Sequence, residues 1–365
     1  MEKRSWLQKI REWEYWAFHW LYGPIYFIFV GYLARAGFRF FFSAANPTIK
    51  NGGFVLESKK AVYDLLPEGT YPPTLYFKTG VLVADLIQEI QNAALSYPLV
   101  LKPDIGGRGR AVVIIRHEDE LHYYVPKYDM PFLVQPWVAY KEEVGIFYVK
   151  YPGEKDGKIT GIVGKSFGAV TGDGVSSIQQ LIMADERLQL YMESLSQQLA
   201  ERLQEIVPAG KKELLVPFGN HARGTAFFNV SHLADERLNK WANDLAVRID
   251  GFYFGRLDIR YDDWEAMLND GAYSIIELNG AGSEPTHIYD PSQSVFYAWG
   301  EIIRHWHLLW KISCANHKIG HKYMSFRDGM RMLKENAAYE EALDRLHQVL
   351  LAPPSVKTKR MVVVS

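Results

Sequence analysis

Gly255-Arg-Leu-Asp-Ile-Arg260, followed after a loop by Ile276-Glu-Leu-Asn-Gly280, is the stretch on which the fold turns. The runs Phe254 to Arg260 and Tyr273 to Asn279 alternate apolar and polar residues and read as two strands. Between them lies a loop with Asp262, Asp263 and Asn269-Asp270-Gly271. Side chains alternate across a sheet, so Arg256, Asp258 and Arg260 share one face, as do Glu277 and Asn279, opposite Ile276 and Leu278. Two such strands side by side bring Asp258, Glu277 and Asn279 together. Their oxygen-only donor set suits magnesium, with Arg256 beside it. A plain hairpin with one solvated, charged face gives the same alternation.

Working back along the chain, strands are expected at Leu99 to Lys102, Ala111 to Arg116, Phe132 to Gln135, Gly145 to Lys150 and Ile159 to Phe167. Lys102 closes the first, and Asp104-Ile-Gly-Gly-Arg-Gly-Arg110 follows. Gly106, Gly107 and Gly109 let backbone N–H groups approach phosphate oxygens, and Arg108 and Arg110 add positive charge. A flexible hairpin turn has the same composition, and the segment matches neither the Walker pattern nor a dinucleotide fingerprint. Helices are expected at Glu57 to Leu66, from Ser176 or Ser177, from Asp185 to Ile206, around Leu238, Trp241, Leu245 and Ile249, and at Ser294 to Ile312. The stripe Leu188, Met192, Leu195, Leu199, Leu203 and Ile206 is core. Four units follow: an aromatic helical segment at 1–50, a linker with a small lobe at 51–150, a large lobe with the metal site at 151–330, and a C-terminal helix and tail at 331–365.

In sequence order, Lys59 in Glu57-Ser-Lys-Lys60, the strand Tyr97-Pro-Leu-Val-Leu-Lys-Pro103 with its glycine loop, Gln135 and Glu143 around Val134-Gln-Pro-Trp-Val138, and the Asp…Glu-x-Asn close resemble the ATP-grasp enzymes. The resemblance covers about residues 55 to 300 and is nearest to the D-alanine–D-alanine ligase branch. The turn Thr171-Gly-Asp-Gly-Val-Ser-Ser177 looks like one found in cyanophycin-synthetase-like ligases. The implied fold is α+β: two lobes with the nucleotide between them, preceded here by the aromatic segment. The implied reaction is ATP-dependent joining of a carboxylate to an amine through an acyl phosphate. By the same resemblance Lys59 and Lys102 reach ATP phosphates and Gly106 to Gly109 form the flap over them. Gln135 stands where the family has Glu at the adenine, the backbone near Val138 faces the ring, and Glu143 meets the ribose. Asp258, Glu277 and Asn279 match the ligands of two magnesium ions, Arg256 matches the transition-state arginine, and Lys165 lies near the phosphates.

Two departures limit what carries over. The family's N-terminal α/β domain, which helps hold the first substrate, is replaced by the aromatic segment. Gly280-Ala-Gly-Ser-Glu-Pro-Thr-His-Ile-Tyr289 adds Glu284 and His287, candidates for a different acceptor site, and Asn220, His221 and Arg223 are further candidates. The substrates are small-molecule or lipid-linked carboxylates and amines. No Ser-His-Asp system is visible, and His305 and His307, two apart on a helix, point to different faces.

The 41 Lys and Arg balance 42 Asp and Glu in 365 residues, so no global field draws the chain to nucleic acid. Cys314 alone excludes an intramolecular disulfide and fits a reducing, cytoplasmic compartment. From Tyr15 to Ala34 there is no formal charge, and Asn46-Pro47 and Asn51-Gly52-Gly53 close the segment with turns. Three readings stay open for it: a helix packed on the core or on a second subunit of a homodimer, interfacial docking on the inner face of a membrane, or a span. No small-residue cleavage site follows promptly, which argues against a signal peptide. Two rivals to the ligase remain: a nucleotide-binding, membrane-docked scaffold or sensor, and an enzyme that only phosphorylates. Retention of Arg256 with all three metal ligands argues against the scaffold, since binding alone needs no transition-state group.

Overall fold

A computed structural model describes Trp13, Trp16 and residues 18–185, 187–215 and 225–351. Its strands are β1 (Leu75–Phe77), β2 (Leu99–Pro103), β3 (Val113–Ile115), β4 (Phe132–Pro136), β5 (Glu142–Val149), β6 (Lys158–Ser166), β7 (Ala169–Thr171), β8 (Lys212–Leu214), β9 (Ala226–Asn229), β10 (Phe254–Tyr261) and β11 (Tyr273–Asn279). They build a four-stranded sheet in the order β1-β4-β2-β3 and a five-stranded sheet in the order β11-β10-β5-β6-β9, with β7 and β8 paired apart. Every pairing is antiparallel. The α+β architecture of two lobes behind an aromatic helical segment is the one expected. β5 joins the large sheet, so the chain changes lobe between Pro136 and Glu142 rather than near Lys150.

Each sheet hides one face under helices. The helix Glu236–Ala246 lays Leu238, Ala242 and Leu245 on Ile146, Leu257 and Ile275 of the large sheet. The small sheet is covered by Val83–Asn92, Glu118–Tyr124 and the C-terminal helix Phe326–Leu351, which contributes Leu343, Leu346 and Leu350. That C-terminal helix starts five residues before 331, and part of it belongs to the small-lobe core. The tail from Ala352 lies outside the described residues. The opposite face of the large sheet, with Phe147 and Phe254, is covered by Val295–Lys318 and the N-terminal aromatics.

Two expected helices are broken. The stretch from Asp185 to Ile206 divides into a 3-10 turn Leu188–Tyr191, a helix Met192–Leu199 and a 3-10 turn Ala200–Gln204. The Asp185 carboxylate accepts from the N–H of Arg187 and Leu188, which restarts the chain there, and Ile206 leaves to pair with Ser177. Ile206 is therefore exposed, off the stripe that Leu188, Leu195 and Leu199 bury. The N-terminal segment, described in part, runs as Phe18–Tyr22, a 3-10 turn Gly23–Ile25 and Tyr26–Arg35. Pro24 has no N–H to give, so the helix cannot run through it. Among the described residues no helix is long and apolar enough to cross a membrane.

The same segment is core on one side. Leu21, Tyr22 and Ile25 pack on Ile288, Ala298 and Ile302, while Phe29 and Tyr32 meet Trp306 and Trp310 at ring separations of 5.3 and 5.4 Å. Asn46 locks the closing turn: its amide donates to Gly52 O and Phe254 O and accepts from the N–H of Tyr253 and Phe254. Gly53, at φ +73°, lies so near Gly280 that a Cβ would stand 2.7 Å from the Gly280 Cα. The turn thereby braces the chain leaving β11.

Candidate active site

Between the two sheets lies a cleft of about 820 Å³, lined by thirteen of the residues singled out above: Lys59, Lys102, Gly106, Gly107, Gly109, Gln135, Val138, Glu143, Lys165, Arg256, Asp258, Glu277 and Asn279. The small sheet supplies one wall and the large sheet the other.

Register explains the floor. Asp258 pairs with Glu277 and Arg256 with Asn279, so these four share one face, and a bulge after Asp258 resets the pairing beyond them. Asp258 also pairs with Gly145 on its other side, where a Cβ would come within 2.9 Å of Asp258 Oδ1 and 3.1 Å of Arg256 Cδ. Gly145 is what leaves room for the carboxylate, and the missing side chain inside a strand was its sequence signal.

The charges are paired rather than solvated. Arg256 donates to Asp258 twice, Nε to Oδ1 at 2.8 Å and Nη2 to Oδ2 at 3.0 Å. Lys165 Nζ lies 3.2 Å from Asp258 and 2.7 Å from Glu143 Oε1, and Arg260 Nε donates to Glu143 Oε2 at 3.2 Å. Burial alone would raise Asp258, but Arg256 and Lys165 outweigh it and hold the carboxyl at about 2. Burial alone would lower Lys165, but Asp258 and Glu143 outweigh it and raise it. Arg260, on the same strand face, also reaches Val138 O and lies 5.0 Å from the Trp137 ring and 4.8 Å from Phe167.

On the small-lobe side Lys102 is buried and donates to the Tyr63 hydroxyl at 2.9 Å. Desolvation pushes its ammonium down to about 8, against the pull of Glu277 and Asp104. Lys59 opens a short helix capped by Ser58, with Asp104 accepting from Ser58 Oγ and the Lys60 N–H. Its Nζ donates to Gly106 O and stands 3.6 Å from Glu277. Gln135 donates to Thr74 at 2.6 Å. Arg110 does not add free charge to the glycine loop as expected, because it is spent on Glu340 at 2.6 Å and Asp344 at 3.0 Å of the C-terminal helix.

Of the remaining candidates, Glu284 lines the cleft and its Oε1 accepts from Tyr22 at 2.6 Å and Tyr289 at 3.3 Å. His287 does not line it; its ring is buried, with Nε2 3.0 Å from Glu301. His305 is buried too, bonded to Thr160, whereas His307 is exposed. The turn at Gly172 is held by Asp173, which accepts from Val175 and Ser176, and it stands off the cleft wall. Asn220, His221 and Arg223 lie outside the described residues.

The residues fit a hard divalent cation. Asp258, Glu277 and Asn279 offer only oxygen, and the Asn279 side-chain nitrogen is buried with no hydrogen-bond partner among the described residues. An amide flip puts its oxygen there instead. No three His, Cys, Asp or Glu side chains among the described residues form a metal cluster, and this set contains only two carboxylates.

No family model and no curated protein matches the chain. Solved structures do. A D-alanine–D-alanine ligase from Bacillus anthracis complexed with ATP matches at 15% identity and TM-score 0.40, covering 72% of this chain and 68% of that one. A D-Ala:D-Ser ligase from Enterococcus faecalis matches at 14% and 0.40, covering 71% and 62%. A bifunctional glutathione synthetase from Pasteurella multocida matches at 14% and 0.36, covering 68% of this chain. The chain spans only 37% of that synthetase's length.

Proposed function

We propose that this chain is a magnesium-dependent ligase of ATP-grasp type that joins a carboxylate to an amine through an acyl phosphate. What supports the reading is a single observation: residues spread from Lys59 to Asn279, chosen by motif, line one cleft between two antiparallel sheets. Two cations already converge there on one buried carboxylate.

In this reading adenine lies against Gln135, Trp137 and Val138, and Glu143, whose oxygens keep spare lone pairs beside Lys165 and Arg260, accepts from the ribose. Lys59, Lys102 and the glycine loop hold the phosphates. Asp258, Glu277 and Asn279 would hold magnesium, which when bound offsets charge on the transferring phosphoryl group. A substrate carboxylate attacks the γ-phosphorus and the bond to the bridging oxygen breaks, releasing ADP. The amine then attacks the acyl carbon, loses its proton, and inorganic phosphate departs with the electron pair of the broken C–O bond. Arg256 stabilises the intervening oxyanion, a role worth about 3 kcal/mol in comparable sites. The substrates are small-molecule or membrane-borne, and the compartment is the cytoplasm.

The test is ADP release over a panel of carboxylates and amines, with the product read by mass spectrometry. An amide formed in step with ADP supports the reading. A phosphorylated product that no amine consumes, or nucleotide binding without turnover of any acid, sinks it.

A further inference from the structure

The N-terminal segment buries one side and leaves the other bare. Along Tyr26–Arg35 the outward positions are Tyr26, Phe27, Val30, Gly31 and Ala34, spaced as one face of a helix. Trp20 extends the face on one side and Phe38 on the other; Trp20, Phe27 and Phe38 are 74, 71 and 61% exposed. Large aromatics at such exposure on adjoining turns form an apolar surface that water penalises.

The charge around this face is one-sided although the whole chain is nearly neutral. From Tyr15 to Leu56 there is no Asp or Glu, and none again from Ile302 to Arg327, the stretch of the long helix and its exit against which the segment packs. Those same two stretches carry Arg35, Arg39 and Lys50, and Arg304, Lys311, Lys318, Lys322 and Arg327. Arg35, Arg39, Lys311, Lys318 and Lys322 are exposed. Burial first, and then Lys311 and Arg35, lower His307, so both cations act on one ring. Acid-free chain, exposed aromatics and exposed cations meet on one side of the molecule.

We infer that this side docks on an anionic bilayer, with Trp20, Phe27, Val30 and Phe38 entering the interface and Arg35, Arg39, Lys311 and Lys318 meeting lipid phosphates. Aromatic rings suit the headgroup boundary, and cations beside them favour anionic lipid over neutral. Pairing this face with its own copy would set its exposed cations against each other, a like-charge contact that costs energy, whereas an anionic bilayer offers them opposite charge. Tyr22, four residues before the exposed helix, bonds to Glu284 in the cleft wall, so docking brings that end of the cleft to the lipid. The docking itself is independent of the ligase reading.

The experiment is co-sedimentation of the full-length protein with vesicles of phosphatidylcholine alone and with about one third phosphatidylglycerol. The expected result is about tenfold more protein bound to the anionic vesicles, declining with salt. Trp20→Ser with Phe27→Ser and Phe38→Ser removes binding to both, and Arg35→Glu with Lys311→Glu removes the anionic preference. Circular dichroism and the melting temperature of the variants in vesicle-free solution stay at the wild-type values, which reports that they fold. Equal, negligible binding to both vesicles overturns the inference. So does a dimer on light scattering that the three aromatic substitutions convert to a monomer, because the face then belongs to a second copy.

Discussion

Arg256 grips Asp258 from two positions earlier on the same strand with two parallel hydrogen bonds, while Lys165 reaches Asp258 at 3.2 Å from β6, two strands away across β5. One buried carboxylate thus organises two cations, and removing its charge strands Arg256 and leaves Lys165 to Glu143 alone. Asp258→Asn is expected to lower ATP turnover by about a hundredfold or more and to cost about 3 kcal/mol of stability, measured by ADP release and denaturant unfolding. Turnover at the wild-type level would remove Asp258 from the site. Arg256→Lys keeps the charge but loses the bidentate geometry, so kcat should fall with little change in the KM for ATP.

If Lys102 holds phosphate as proposed, nucleotide binding depends on pH in a stated direction. Its ammonium is held down at about 8, and phosphate at its Nζ favours the charged form. Binding therefore takes up a proton above pH 8, and ATP affinity should fall about tenfold per pH unit as pH rises beyond that value. For stability the sign is opposite: the unfolded lysine holds its proton to higher pH, so the ligand-free fold gains stability between about pH 8 and 10.5. Calorimetry in buffers of different ionisation enthalpy counts the proton, and Lys102→Met should abolish both trends. An affinity flat from pH 7 to 9 in the wild type would contradict the phosphate role.

Gly145 and Gly164 make a matched pair for testing the cleft floor. A Cβ at Gly145 meets Val163 Cγ1 at 2.7 Å and Asp258 Oδ1 at 2.9 Å, whereas one at Gly164 finds only ordinary contact with Val230 at 3.6 Å. Gly145→Ala should cost about 1–3 kcal/mol and most of the activity, and Gly164→Ala little of either, on thermal melting and ADP release. Equal behaviour would mean that Asp258 has freedom to move aside.

The floor of the site was legible because strand periodicity is local: two apolar–polar runs fix which face Asp258, Glu277 and Asn279 occupy without knowledge of the rest. Lys59, Lys102, Gln135 and Glu143 were legible by motif order, since each sits at the end or start of a strand or helix facing the cleft. What the sequence hid depends on contacts far apart in the chain. Nothing local says that Arg110 will be spent 230 residues away on Glu340, or that Arg260 will share Glu143 with Lys165. His287 looked like a cleft residue from its neighbours, but the 3-10 turn Thr286–Tyr289 carries it away from the cleft, over Gly161 on the same face of the large sheet and against Glu301, while Glu284 lines the cleft. The helix expected from Asp185 to Ile206 failed because a side-chain cap at Asp185 and a bridge at Ile206 outweigh a good apolar stripe.

The C-terminal helix tethers the glycine loop, which in the proposed function closes over the nucleotide phosphates. Arg110 reaches Glu340 and Asp344, the Ala111 N–H donates to His347 Nδ1, and Tyr339 donates to Ile105 O, so the loop's far end is tied to a helix rather than free. The two ion pairs are partly exposed and together stabilise the fold by about 1 kcal/mol or less, yet they act on one short loop. Glu340→Gln with Asp344→Asn should leave the melting temperature nearly unchanged while speeding tryptic cleavage after Arg108 and Arg110 several-fold. A non-hydrolysable ATP analogue should restore protection in wild type and variant alike, because phosphate contacts replace the tether. Cleavage at the wild-type rate in the double variant would show that the tether does not govern the loop, and cleavage unaffected by the analogue would remove the loop from the phosphate site.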